Sequence, residues 1–88
     1  MRSKYTFEKM ELDEEIVAVP VGDSAMELHA VLNVNEEAMR ILELLQEETT
    51  EENIVAQLLK EYEGEKEEIA ALVSAYIEQL RQEDLLEE

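Results

Sequence analysis

Apolar residues in the first third of the chain either alternate with polar residues or form short β-branched runs, and both patterns are typical of strands. Residues 4–10 alternate weakly, with Tyr5 and Phe7 on one side. Residues 15–21 are β-branched and nearly all apolar, and residues 26–32 place an apolar side chain at every second position. Because consecutive strands with short connections usually pair with each other, we predict a three-stranded antiparallel meander.

After residue 33 the apolar residues follow helical spacing, and three amphipathic helices are predicted. Asn33 with Glu36, and Thr49 with Glu52, are spaced like the first residues of capped helices. Gly64 is a natural helix terminator before the last helix. The three apolar stripes consist of Val34, Ala38, Ile41, Leu42 and Leu45; of Ile54, Val55, Leu58, Leu59 and Tyr62; and of Ile69, Leu72, Val73, Tyr76, Ile77 and Leu80.

The order of three strands followed by three helices predicts one α+β domain over residues 1–88, with the helices packed on one face of a small sheet. We expect its ordered core to extend from about residue 4 to about residue 86, because chain ends are usually loose. Leu85 and Leu86 are expected to fold back onto the core, and Glu87 and Glu88 to be loose.

The charge of the chain narrows the classes of partner. It carries 24 acidic and 7 basic residues, for a net charge of −17. A phosphate backbone is bound through Lys and Arg that release counterions, so no nucleic acid is expected as a partner. Anionic membrane surfaces are disfavoured for the same reason. No apolar run approaches the roughly 20 residues of a membrane-spanning helix, and no signal peptide is recognisable, so we expect a cytoplasmic protein.

No residue pattern indicates catalysis or cofactor binding, so we expect neither an enzyme nor a bound cofactor or metal. The chain has no cysteine, and its one histidine, His29, has no evident nucleophile or metal ligand beside it. Asp23 and Ser24 resemble the attachment site of acyl carrier proteins. Those proteins are helical bundles, whereas here the pair follows a β-branched strand, so a turn at residues 22–24 explains it better.

Several segments of the chain occur in the order and spacing of the PqqD-like family, which the chain resembles over about residues 5–86. These segments are Val19-Pro20-Val21-Gly22, Leu32-Asn33, Ile41-Leu42-Glu43-Leu44-Leu45, Thr50-Glu51-Glu52-Asn53-Ile54-Val55, Leu58-Leu59-Lys60-Glu61-Tyr62 and Leu80-Arg81-Gln82-Glu83-Asp84-Leu85-Leu86. The resemblance implies a three-stranded antiparallel sheet followed by three helices, similar to a winged helix-turn-helix. It also implies a RiPP recognition element, which binds the leader segment of a ribosomally synthesised precursor peptide and presents that precursor to a modifying enzyme, often a radical SAM protein.

The resemblance further implies that the leader lies antiparallel beside the third strand, in a groove bounded by the last helix. The predicted strand over residues 26–32 carries no Pro or Lys that would block such pairing at its edge. On the last helix we expect Val73 and Ile77 to reach the groove. The apolar stripe has two flanks, and its spacing does not decide which of them faces the groove. Arg81 is expected at the rim, where it would meet an acidic leader residue. The candidate residues on the strand are Glu27, Leu28, His29, Ala30, Val31 and Leu32.

The function that these observations favour is a precursor-peptide chaperone, with the leader peptide and a radical SAM or other modifying enzyme as its partners. The alternative is an acidic winged-helix regulatory protein, because the implied fold resembles a DNA-binding one, or a DNA mimic, because some small acidic proteins imitate DNA. Lys60 is the only cation over residues 53–61 of the predicted second helix, which opposes DNA binding. An acyl carrier protein is a weaker alternative, and whether the chain forms a homodimer stays open.

Overall fold

The computed structural model describes all residues from 1 to 88, and it is an α+β structure. The strands are β1 (Arg2–Ser3), β2 (Phe7–Leu12), β3 (Glu15–Pro20), β4 (Leu32–Val34) and β5 (Leu86–Glu87). The helices are α1 (Asp23–Glu27), α2 (Glu36–Leu44), α3 (Glu51–Glu61) and α4 (Lys66–Gln82). The predicted class, a three-stranded antiparallel sheet followed by three helices, is confirmed. The short helix α1 and the two-residue strands β1 and β5 were not predicted.

The three-stranded sheet is an antiparallel meander in the order β2-β3-β4. The hairpin between β2 and β3 closes at Leu12 and Glu15, and its turn residue Asp13 has a φ of 56°, a left-handed conformation that Asp tolerates. β4 pairs with the other side of β3, with Val34 opposite Ile16. β3 is therefore the central strand, which agrees with its nearly continuous apolar sequence.

The third strand is shorter and begins later than the alternation over residues 26–32 predicts. Its first residue is Leu32, because the chain forms α1 and then an irregular segment over residues 28–31. The alternation also does not mark one buried face, since Met26 is 76% exposed. The prediction of a strand over residues 26–32 is therefore wrong except at Leu32.

Local hydrogen bonds explain why a helix forms where a turn and a strand were predicted. The Leu28 N–H donates to the Ser24 carbonyl at 2.8 Å, as in a helical turn. The Ser24 hydroxyl accepts the Thr6 N–H at 2.8 Å, which ties α1 to the residue preceding β2. Gly22, at a φ of 62°, supplies the left-handed conformation that redirects the chain into α1. These hydrogen bonds hold residues 23–27 in a short helix, so this segment does not pair with β3 as a strand.

Side-chain caps set the first residues of α2 and α3. The Asn35 side chain accepts the Ala38 N–H at 2.8 Å, and the Thr50 hydroxyl accepts the Asn53 N–H at 3.1 Å. The predicted caps, Asn33 and Thr49, are therefore two residues and one residue too early. Asn33 lies within β4, and the Thr49 N–H donates to the carbonyl of the first residue instead.

The two ends of the chain are held together by a second, two-stranded sheet. β1 and β5 pair antiparallel, with Arg2 opposite Glu87. The Arg2 Nε also donates to a Glu87 carboxylate oxygen at 2.9 Å, and Arg81 binds Glu88 through two hydrogen bonds of 2.8 Å. The predicted return of Leu85 and Leu86 to the core is confirmed, whereas the prediction that the last two residues are loose is wrong.

A single apolar core lies between the sheet and the helices α2, α3 and α4. No polar or charged residue is buried in it, and no buried side-chain polar atom lacks a partner. Arg40 of α2 binds Glu61 of α3 from outside the core, at 2.8 and 2.9 Å, and this hydrogen bonding, with that of Gln57, lowers the pKa of Glu61 from 4.5 to about 2. The largest of the fully buried side chains are Ile41, Leu42, Leu45, Ile54, Leu58, Val73, Ile77 and Leu80.

We predict that Asn35→Ala lowers the free energy of unfolding by about 1 kcal/mol, because it removes the cap of α2. Asn33→Ala is the matched control, with an expected change within about 0.5 kcal/mol, because Asn33 is exposed and caps nothing. Urea denaturation followed by circular dichroism measures both changes. A larger loss for Asn33→Ala than for Asn35→Ala would place the cap where the sequence pattern put it.

Candidate functional site

One edge of the three-stranded sheet is formed by β4, which hydrogen-bonds to β3 alone. Residues of an edge strand whose N–H and C=O groups point away from the sheet have no strand partner, so this edge is open to strand addition. Leu32 and Val34 lie opposite Ala18 and Ile16 of β3 and share their face of the sheet, which is the face toward the core. Alternate side chains of a strand added beside β4 would therefore point toward the helices.

A cleft opens where β4 leads into α2, and α4 forms its opposite wall. Its volume is about 240 Å³. Four of its six lining residues are apolar, a mixture typical of sites that take apolar side chains. We call it the α2–α4 cleft, and it is lined by Asn35, Ala38, Leu72, Ala75, Tyr76 and Gln79.

Leu72 and Tyr76 are the two large side chains of the α2–α4 cleft, and they stand one helical turn apart on α4. Leu72 is 38% exposed, one of five large hydrophobic residues that the protein leaves open to water. Tyr76 is half-buried and packs against the core. Burial, reinforced by the negative charge of Glu83, raises the pKa of Tyr76 from 10.0 to about 12. The cleft thus presents an apolar surface with one neutral phenol.

The structure separates the residues that were predicted on the third strand. Leu32 alone lies in the edge strand, and its side chain packs partly against the core. Glu27 ends α1, and the following irregular segment contains Leu28, His29, Ala30 and Val31. His29, Ala30 and Val31 are exposed, whereas Leu28 packs partly against the core. These residues precede the open edge rather than form it.

The residues predicted on the last helix do not lie at the α2–α4 cleft. Val73 and Ile77 are 0% and 1% exposed, and both lie in the core rather than among the residues that line this cleft. Arg81 is already paired: its guanidinium binds Glu78 and Glu88 in hydrogen bonds of 2.8 Å. A leader carboxylate would have to compete with both of these glutamates.

Sequence reasoning did not single out Ala75 and Gln79 as candidates, and it counted Leu72 and Tyr76 only as members of the apolar stripe. Residues 69, 73, 77 and 80 are the true centre of the buried face. Leu72 and Tyr76 lie on one flank of it, together with Gln79. The sequence did contain a signal for this flank. Leu72 and Tyr76 are a large apolar pair with i, i+4 spacing, and they lie beside a core stripe that is complete without them.

Other kinds of site find no support in the arrangement of side chains. No group of three or more His, Asp or Glu side chains is placed to hold a metal ion. None of the helices combines the length and the apolarity that crossing a bilayer requires. The edge of β4 and the α2–α4 cleft are the candidate site, because a sheet edge beside an apolar cleft is a general arrangement for capturing a peptide.

Three strands in a meander followed by three packed helices, with one sheet edge beside a helical cleft, define an α+β domain of the winged helix-turn-helix kind. The sequence of residues 15–86 matches the family "Coenzyme PQQ synthesis protein D (PqqD)", and the chain belongs to this family. No curated protein matches the chain in sequence.

Among solved structures, the chain is similar to one described as "TbiB1 in Complex with the TbiA(beta) Leader Peptide". The two share 21% sequence identity, and the superposition covers 99% of this chain and 95% of that chain with a TM-score of 0.69. At this identity the likeness shows a common fold, which agrees with the family assignment.

We predict that Ile77→Ala lowers the free energy of unfolding by about 2–5 kcal/mol, because it opens a cavity in the core. Leu72→Ala is expected to change it by less than about 1 kcal/mol, because its side chain is partly in water and Ala favours the helix. Urea denaturation of both variants measures the difference. Equal losses would mean that the flank with Leu72 belongs to the core rather than to a cleft.

We also predict that Tyr76 makes the protein less stable in alkali. Since the neutral phenol is favoured in the folded state, its contribution is complete below pH 10 and is lost as the pH rises toward 12, where the unfolded chain ionises first. A shift of this size corresponds to about 2.7 kcal/mol, and partial exposure of the ring to water should reduce the loss to about 1–2 kcal/mol. Urea denaturation across this window measures it, and Tyr76→Phe should fall less steeply than the parent protein. Parallel curves for the two would contradict the assigned burial.

Proposed function

We propose that this protein binds the leader segment of a ribosomally synthesised precursor peptide, as an added strand at β4, and presents the precursor to a modifying enzyme. The observation that carries the proposal is the open edge of β4 together with the α2–α4 cleft, which is lined by Asn35, the residue that follows β4. Backbone pairing at a sheet edge together with pockets for alternate side chains is a general mode of peptide capture. The similar fold of TbiB1, whose structure contains a leader peptide, supports the same use.

The free energies of the possible contacts indicate that apolar contacts in the cleft supply most of the affinity. β4 has three residues, so its outward-facing groups can form roughly two to four hydrogen bonds with a peptide. Each contributes about 0.5–1.5 kcal/mol net, whereas a micromolar complex needs about 8 kcal/mol. The apolar side chains seated against Leu72, Ala75 and Tyr76 therefore have to supply the larger part, and the edge mainly fixes the direction and register of the peptide.

The peptide-binding residues that we propose are Leu32 on the edge and the α4 flank of the cleft. Residues 28–31 stay candidates because they directly precede β4. Pairing with an added strand would let β4 extend backwards into these residues. Val73 and Ile77 act in this proposal through the core, by holding α4 in place. Arg81 keeps its glutamate partners and stands outside the site.

The protein is in this view a chaperone and not an enzyme, and catalysis belongs to the partner, with a radical SAM protein as the expected class. The net charge of −17 supports a peptide rather than a nucleic acid as ligand, because too few cations are present to displace phosphate counterions. The same charge and the absence of a membrane-spanning helix are consistent with a role in the cytoplasm.

We predict that Ala75→Gln weakens leader binding by a factor of about ten or more, because the longer polar side chain fills the α2–α4 cleft and displaces apolar contacts. The matched control is Ala71→Gln, which makes the same change at an exposed position of α4 outside the cleft. Calorimetric titration with the leader peptide of the neighbouring precursor gene measures both variants. If both bind like the parent protein, the ligand does not occupy this cleft.

A further inference from the structure

A second cavity continues the α2–α4 cleft toward the beginning of α4. Its volume is about 170 Å³, and it shares Leu72 with the cleft. Leu58, Tyr62 and Ile69 contribute its apolar surface. The two cavities lie side by side between the first turn of α2 and the exposed flank of α4, so an extended peptide that fills one is directed toward the other.

Three carboxylates surround this second cavity, each from a different part of the chain. Glu37 belongs to the first turn of α2, Glu63 to the loop after α3, and Glu68 to the first turn of α4. None of the three takes part in an ion pair in the structure. Tyr62, which also lines the cavity, has a pKa raised by burial and then by the negative charges of Glu37 and Glu36. The cavity is therefore apolar inside and negative at its rim, and the one cation that acts on Tyr62, Arg40, is already paired with Glu43 and Glu61.

We infer that the leader peptide carries a Lys or Arg side chain that enters this second cavity, two to three residues away from the apolar side chain held in the α2–α4 cleft. This inference rests on the proposed function and adds the chemical class of the ligand. The apolar stem of a basic side chain matches the cavity interior, while its charged head matches the carboxylates at the rim. The same three carboxylates would repel an acidic side chain of a peptide, and they would also repel a second copy of this acidic protein.

The spacing follows from the geometry of α4. The residues of α4 that line the two cavities are centred about five to six positions apart, which corresponds to about 8 Å at the helical rise of 1.5 Å per residue. An extended peptide covers that distance in about two to three residues at about 3.3 Å each. Because alternate side chains of a strand share one face, a separation of two residues fits best.

The experiment scans the leader peptide of the neighbouring precursor gene with Lys, Gln and Glu at each position, and measures binding by fluorescence anisotropy. We expect one position, two to three residues from the apolar anchor, at which Lys binds about five-fold or more tightly than Gln, and Gln more tightly than Glu. In the double variant Glu63→Gln/Glu68→Gln the preference for Lys should fall to near unity. Glu37 is left intact because it also stabilises the first turn of α2.

The matched control is Glu8→Gln/Glu47→Gln, which makes the same change of net charge at two exposed glutamates outside both cavities. The preference for Lys should persist in this control. The inference is overturned if no position prefers Lys, or if both double variants lose the preference equally, since that would reflect only the net charge. In either case, weaker binding by Ala75→Gln would leave the proposed function standing. If no leader peptide binds the parent protein, both the function and the inference fail.

Discussion

Burial of one face of α4 is the interaction on which the rest of the structure depends. Ile69, Val73, Ile77 and Leu80 belong to the same apolar core as residues of the sheet, of α2 and α3, and of the returning C-terminal segment. The same helix presents Leu72 and Tyr76 at its flank. The position of the candidate site is therefore set by the core itself, and side chains on a rigid, well-packed helix hold their geometry better than those on a loop.

The acidic character of the protein is accommodated entirely at the surface. Five of its seven cations form ion pairs, namely Arg2, Lys4, Lys9, Arg40 and Arg81. Surface pairs of this kind contribute about 0–1 kcal/mol each, so they tie segments together without accounting for the fold. The remaining carboxylates repel one another, and apolar burial has to offset that repulsion. The small apolar opening of the candidate site is therefore surrounded by a strongly negative surface.

The sequence predicted the parts of the fold in which periodicity and burial coincide. The stripe of the last helix was recognised in full, and β3 was found because a central strand is apolar on both faces. The third strand was displaced because residues 23–27 form local hydrogen bonds, and alternating apolar residues in a short exposed helix imitate a strand. The residues that line the cleft were not singled out, because spacing identifies a stripe, whereas which of its borders is covered depends on neighbouring elements that the sequence does not place.

The short length of β4 has a consequence for the protein when no peptide is bound. An open strand edge is also a template on which other copies of a chain can stack, and proteins limit this hazard by keeping such edges short or charged. A seven-residue edge of alternating apolar side chains would have been a risk in a crowded cell. With three residues in β4 and a net charge of −17 on every copy, self-assembly through this edge is discouraged. The edge of β4 is thus open to strand addition without offering a long template to other copies of the chain.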